Sequence, residues 1–192
     1  LKQPGARSRV YKNKVVANNR KNFGHPGTPV ATVPAGAGVV VNSNDQVEIF
    51  DNDIRDNQTA NVIIASIFSS GISQDGVQAD FDGYAEGVYV YGNRMGGGGK
   101  NPDGMELQAL KLAMFGPTGA LPDVLWDGFV DPTKMVAGAL PDALRICVDN
   151  DGADVVDVDW PGAFKAPKIV TDAMRCKQEK LPPVTLANGL GQ

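Results

Sequence analysis

The chain has 192 residues, 42% of them hydrophobic, enough for one domain with a sizeable buried core and no sign of disorder. Its formal net charge of -4, from 18 Lys and Arg against 22 Asp and Glu, offers no general attraction for a phosphate backbone, so nucleic acid is not expected as a partner. The longest apolar runs, Val39-Val40-Val41 and Val62-Ile63-Ile64-Ala65, are strand-sized and fall far short of the roughly 18 to 20 residues a membrane span needs.

Basic residues gather near the start (Lys2, Arg7, Arg9, Lys12, Lys14, Arg20, Lys21) without the stacking aromatics of a single-strand binder, and read as a solvated face. Within them, residues 8–13 alternate apolar and polar side chains and end at Asn13. The pattern returns at 47–52, 88–93 and 145–150, ending at Asn52, Asn93 and Asn150, at intervals of 39, 41 and 57 residues. Such intervals are too irregular for a strict solenoid but natural for a repeat whose loops differ in length. Asparagine tolerates the left-handed backbone region and bonds its own neighbouring backbone, so these four are expected to be structural corners rather than catalysts.

Further strands are expected around Val15-Val16, at 38–42 and at 61–65, because each is a short Val- and Ile-rich run bounded by Gly, Asn or Asp. Two long insertions, 20–37 and 66–86, interrupt them, and loops of that length are commonly functional. The first carries the only histidine, His25, in a Pro/Gly context that suits an exposed turn. The second carries Asp75, Asp80, Asp82 and Glu86, carboxylates able to hold Ca²⁺ through oxygen ligands but lacking EF-hand spacing, so that solvation of a loop is the simpler account. No other cofactor is expected.

After Asn93, the run Gly96 to Gly99 followed by Lys100 lacks the spacing and the hydroxyl residue of a phosphate loop and reads as a turn. Asp103 and Glu106 resemble an N-cap with its third-position glutamate, and Leu107, Leu110, Lys111 and Met114 follow at helical spacing, predicting one short helix that ends at Gly116-Pro117. Strands resume at 124–128, 144–148 and 155–158, and the Pro- and Gly-containing stretch 177–192 is expected to be an irregular tail. Cys147 and Cys176 are either bridged, restraining the unfolded chain by about 3 kcal/mol, or two free buried thiols.

Residues 18–23 with 32–39, residues 47–62 and residues 121–128 together resemble, phrase by phrase, the exported bacterial parallel beta-helix repeat proteins commonly encoded beside a diheme c-type cytochrome, and Cys176 with 181–184 is similar to that family's C-terminus. Residues 105–119 depart from the pattern. The repeat and the resemblance imply an all-β, right-handed parallel β-helix (a pectate-lyase-like solenoid) with long loop insertions and one short helix, residues 1–176 being its C-terminal rungs. They also imply export to the periplasm, outer surface or extracellular space. In an exported protein an even pair of thiols is expected to be bridged. Because the sequence opens at Leu1 and the first repeat follows within about a dozen residues, further rungs upstream are expected as a partner.

The family brings no catalytic residues. A non-catalytic scaffold or binding module, docking a protein partner such as the cytochrome, or a glycan, is therefore the first expectation. The alternative is a carbohydrate-active enzyme, a polysaccharide lyase, hydrolase or epimerase, for which the candidate substrate-binding residues are Asp80, Asp82, Glu86, Arg94 and Lys100, provided they converge.

Overall fold

Strands form where β-branched and aromatic side chains alternate, because a pleated chain sends successive side chains to opposite faces. The computed structural model describes residues 5–73, 75 and 80–184. Along them lie β1 (Gly5–Tyr11), β2 (Lys14–Val16), β3 (Ala37–Asn42), β4 (Asn44–Phe50), β5 (Asp53–Arg55), β6 (Ala60–Ala65), β7 (Tyr89–Tyr91), β8 (Arg94–Gly96), α1 (Met105–Phe115), β9 (Val124–Trp126), β10 (Cys147–Asp149), β11 (Val155–Asp157), β12 (Lys168–Ile169) and α2 (Thr171–Met174). Short 3-10 turns span Pro29–Thr32, Pro132–Lys134 and Asp142–Leu144.

The strands build three sheets, ordered β1-β4-β7-β10, β2-β5-β8 and β12-β11-β9-β6-β3. Every pairing is parallel except β11 with β12, which is antiparallel. Inward-facing Val47, Ile49, Ile54, Val62, Ile64, Val88, Val90, Val124 and Val155 pack into one core cluster. Each such Val or Ile, fully buried, stabilises the fold by about 1.5–3 kcal/mol. A smaller cluster lies on the opposite face of the five-stranded sheet, where Leu107, Leu110, Met114 and Phe115 of α1 pack on Ala60, Leu125 and Val156. Helix α1 thus shields part of that face and leaves the rest open.

The all-β, right-handed parallel β-helix expected from the sequence is not what forms. Among the described residues helix accounts for 14% and strand for 29%, one sheet is mixed, and no closed solenoid results, so the architecture is roughly α/β-like. The physical reason lies after β10. A turn at 150–154 carries the chain from β10 directly into β11, adding no strand to the β2-β5-β8 sheet, and β12 then doubles back along β11. Two antiparallel residues followed by α2 end the regular succession.

The four asparagines form a column at one corner. The Asn13 backbone N–H donates to Asn52 Oδ1 at 3.0 Å, that of Asn52 to Asn93 Oδ1 at 3.0 Å, and that of Asn93 to Asn150 Oδ1 at 2.6 Å. The left-handed conformation expected of them falls one residue earlier, on Lys12 (φ 56), Asp51 (φ 53) and Gly92 (φ 60). The asparagines are there for their amides, which satisfy backbone groups of the adjoining turn. A second column, unforeseen from the sequence, stands between the β2-β5-β8 and β3-β6-β9 sheets. There the Asn18 N–H donates to Asn57 Oδ1, and Asn57 Nδ2 to Asn61 Oδ1.

Two local expectations also change. Asp103 does not cap α1. Gly104 occupies the N-cap, while Asp103 accepts hydrogen bonds from the Ala35 and Gly104 N–H groups. The glycine run is not merely a flexible turn, since a Cβ at Gly99 (φ +71) would stand 2.1 Å from Leu121 O. Residues 177–184 carry no regular element but lie across the first sheet, with Arg9 Nη2 donating to Leu181 O and Pro182 O and the Leu181 N–H donating to Glu48 Oε1. The remainder of the expected tail, 185–192, lies outside the described residues. Cys147 and Cys176 form a disulfide. Among the described residues no helix is long and apolar enough to cross a membrane.

Candidate functional sites

The open part of the five-stranded sheet floors a cleft of about 240 Å³. Val40, Ile63 and Leu125 supply the apolar floor, Thr32, Ser69 and Ser70 the hydroxyl-bearing walls, and Asp103, Glu106 and Trp160 the remaining sides. Trp160 is 39% exposed. Its backbone N–H donates to Asp127 O at 2.9 Å and its ring meets Phe164 edge-on, which holds the indole in place.

The carboxylates of this cleft are largely committed to the scaffold. Buried Asp127 accepts from the Ser66 N–H, Ser66 Oγ and Ser69 Oγ through Oδ2, and from the Phe129 N–H through Oδ1. Asp103 holds the Ala35 and Gly104 N–H groups. Glu106 remains exposed in the first turn of α1.

A second constellation joins β4, the 66–88 loop and the Pro132–Lys134 turn. Single ligand oxygens of Asp45, Asp82 and Glu86 lie within 4.8 Å of one another. Lys134 Nζ donates to Glu86 Oε2 at 2.6 Å and to Asp82 Oδ2, with Asp131 Oδ2 4.0 Å away. Asp45 Oδ1 accepts from the Glu86 N–H at 3.2 Å, and Asp82 Oδ1 from the Tyr84 N–H at 3.0 Å. Burial first, then the charges of Asp82 and Glu86, push the Asp45 carboxyl up from 3.8 to about 6 against the pull of Lys134. Burial likewise raises Glu86, with Lys134 opposing. Burial works against the charge on Lys134, but the hydrogen bonds it donates to Asp82 and Glu86 outweigh it and hold the ammonium above its ordinary range. A cleft of about 680 Å³, lined by Tyr84, Glu86, Phe129, Met135 and Met174 among others, opens beside the cluster.

Of the candidates named from sequence, only Asp82 and Glu86 meet. Asp80 is exposed, as is Asp75, which accepts from Ser73 Oγ. Arg94 sits exposed on β8, where its charge acts on Asp53, and Lys100 is exposed beyond the glycine turn, so neither joins the carboxylates. The cation that does so is Lys134, and the third carboxylate is Asp45. Neither carries a local signal, since Asp45 lies at the start of β4 and Lys134 in a Pro-Thr-Lys turn far along the chain. His25 is exposed, its Nδ1 2.9 Å from Pro26 O in its own loop.

The Asp45 carboxyl makes a pH signature. Held above its unfolded-state value, it keeps a proton in the folded chain that the unfolded chain releases between about pH 4 and pH 6. The stability from that proton is fully present below about pH 4 and is lost as pH rises through about 6. In thermal melts across this window, the wild-type Tm should fall relative to that of Asp45→Asn. Parallel curves for the two proteins would show that Asp45 does not titrate there.

No protein-family model matches this chain, and neither a curated protein nor a solved structure does.

Proposed function

We propose that this chain is an exported, non-catalytic binding module that seats a neutral glycan in the cleft on the five-stranded sheet. The carrying observation is the Trp160 indole, 39% exposed and packed edge-on against Phe164, beside an apolar floor and a hydroxyl-bearing wall. A sugar ring presents one apolar C–H face and an equatorial girdle of hydroxyls. An indole covers the first, and Ser, Thr and carboxylate oxygens accept from the second. Asp103, Glu106 and the net charge of -4 disfavour polyuronates, which points to an uncharged chain.

The lyase, hydrolase or epimerase reading needs side chains free to exchange protons with a substrate. In this cleft Asp127 and Asp103 are tied to backbone and serine groups, which favours binding over turnover. The disulfide supports an oxidising, exported location. Strands β1, β2 and β3 each lie at one edge of their sheet, and a further strand of polypeptide would satisfy their free backbone groups; such a strand is the protein partner this reading favours over a c-type cytochrome.

Calorimetric titration with tetrasaccharides of β-1,4-glucan, xylan, mannan and chitin, and with oligogalacturonate as the charged control, tests the proposal. At least one neutral ligand should bind, and Trp160→Ala should weaken it about tenfold or more. Failure of all neutral ligands, or unchanged binding by Trp160→Ala, would reject the cleft. Shortened or unsaturated products would establish the enzyme reading instead.

A further inference from the structure

We propose that Asp45, Asp82 and Glu86 form a site for a hard divalent cation, Ca²⁺, for which the Lys134 ammonium is the built-in competitor. Three carboxylates from two separate stretches of chain place ligand oxygens within 4.8 Å of one another. Glu86 supplies the independent sign of a ligand. Its side chain is 3% exposed, and among the described residues its Oε1 is the one buried side-chain polar atom without a hydrogen-bond partner. Native folds rarely leave such an atom unpaired, and an ion is one of the partners that resolves it.

Lys134 accounts for only part of the cluster. Its ammonium engages Asp82 and Glu86 Oε2, with Asp131 at 4.0 Å, so one positive charge faces four carboxylates once Asp45 is counted. Among the described residues the ammonium bonds neither Asp45 nor Glu86 Oε1, and Asp45 Oδ1 accepts only the Glu86 N–H. Oxygen-only donors favour a hard ion, and the irregular set suits Ca²⁺, which accepts variable coordination, better than Mg²⁺, which demands a near-ideal octahedron. The adjoining cleft, which Glu86 and Tyr84 line, supplies an entry path. A bound ion would tie Asp82 and Glu86 to β4. The site does not depend on the glycan reading, because its test detects the metal alone.

The test titrates the full chain, stripped with chelator, with CaCl₂ and separately with MgCl₂ near neutral pH, by calorimetry and by thermal unfolding. Ca²⁺ should bind with a Kd of about 10⁻⁴–10⁻³ M and raise the Tm, with Mg²⁺ weaker by about tenfold or more. Asp45→Asn, a half-buried and isosteric change, should weaken Ca²⁺ about tenfold or more. Lys134→Met should tighten it by a similar factor, since it removes the competitor while leaving every oxygen ligand. The opposing signs separate this site from a merely structural ion pair, for which both variants would leave Ca²⁺ without effect. Absence of heat and of any Tm shift at roughly 10 mM Ca²⁺ in both wild type and Lys134→Met would overturn the proposal. So would Asp45→Asn binding Ca²⁺ as the wild type does.

Discussion

Replacing Asn52 with alanine should lower the unfolding free energy by about 3–5 kcal/mol and the Tm by about 6–20 °C. Asn52 is 3% exposed and its amide holds two turns of chain at once. Nδ2 donates to Val10 O at 2.8 Å, to Phe50 O at 2.9 Å and to Asn93 Oδ1 at 2.9 Å, while Oδ1 accepts from the Asn13 N–H and Asn13 Nδ2. Alanine takes these bonds from the part-buried Val10 O, Phe50 O and Asn13 N–H at once, each a loss of about 1–3 kcal/mol. Asn52→Asp should do no better, because a carboxylate cannot donate and would face the Val10 and Phe50 carbonyls and Asn93 Oδ1. Asn13→Ala, at the exposed end of the column, should lose under about 1 kcal/mol. Chemical denaturation of the three variants reads this directly, and equal small losses for Asn52→Ala and Asn13→Ala would mean the column does not hold the turns together.

That column also shows which parts of the structure were legible. The four Asn-ended segments are recognisable because their period is two and their apolar positions are Val, Ile and Tyr, and they overlap the strands β1, β4, β7 and β10 of one sheet. Their spacings of 39, 41 and 57 residues are the separations across which the asparagines bond. What did not show is where the succession stops. The three-residue strands β5 and β8 hold too few residues to display a period, and Lys168–Ile169 of β12 has none, so nothing local announced the skipped sheet or the reversal that makes the fold mixed. The acidic cluster was half legible for a similar reason. Asp82 and Glu86 stand in one loop, but Asp45 lies some 40 residues before Glu86 and Lys134 some 50 after it, and only packing brings them together.

Removing the disulfide with Cys147→Ala and Cys176→Ala together should lower stability by about 3–4 kcal/mol, the entropy that a bridge across 29 residues takes from the unfolded chain, and the Tm by about 6–16 °C. The effect should also be visible in one place before the whole molecule melts. Cys147 is a buried residue of β10, whereas Cys176 follows α2, whose own anchors are Met174 and Thr171 Oγ1, which accepts from the Val155 N–H at 2.9 Å. Beyond it, residues 177–183 hold to the Asp142–Leu144 turn and to the first sheet through surface-accessible contacts, with Gln178 Nε2 donating to Asp142 O and Arg145 O, Lys180 4.8 Å from the Tyr91 ring centroid, and Arg9 reaching Leu181 O and Pro182 O. Without the bridge, α2 and this segment become the least stable unit, since few buried apolar contacts hold them. Trypsin should then cut first at Arg175, Lys177 or Lys180 under native conditions, well before the β4 and β6 amides exchange with solvent. Reduction of the wild type should reproduce both effects, whereas a double variant that keeps the wild-type Tm and resists trypsin there would show that side-chain packing alone fixes this end of the chain.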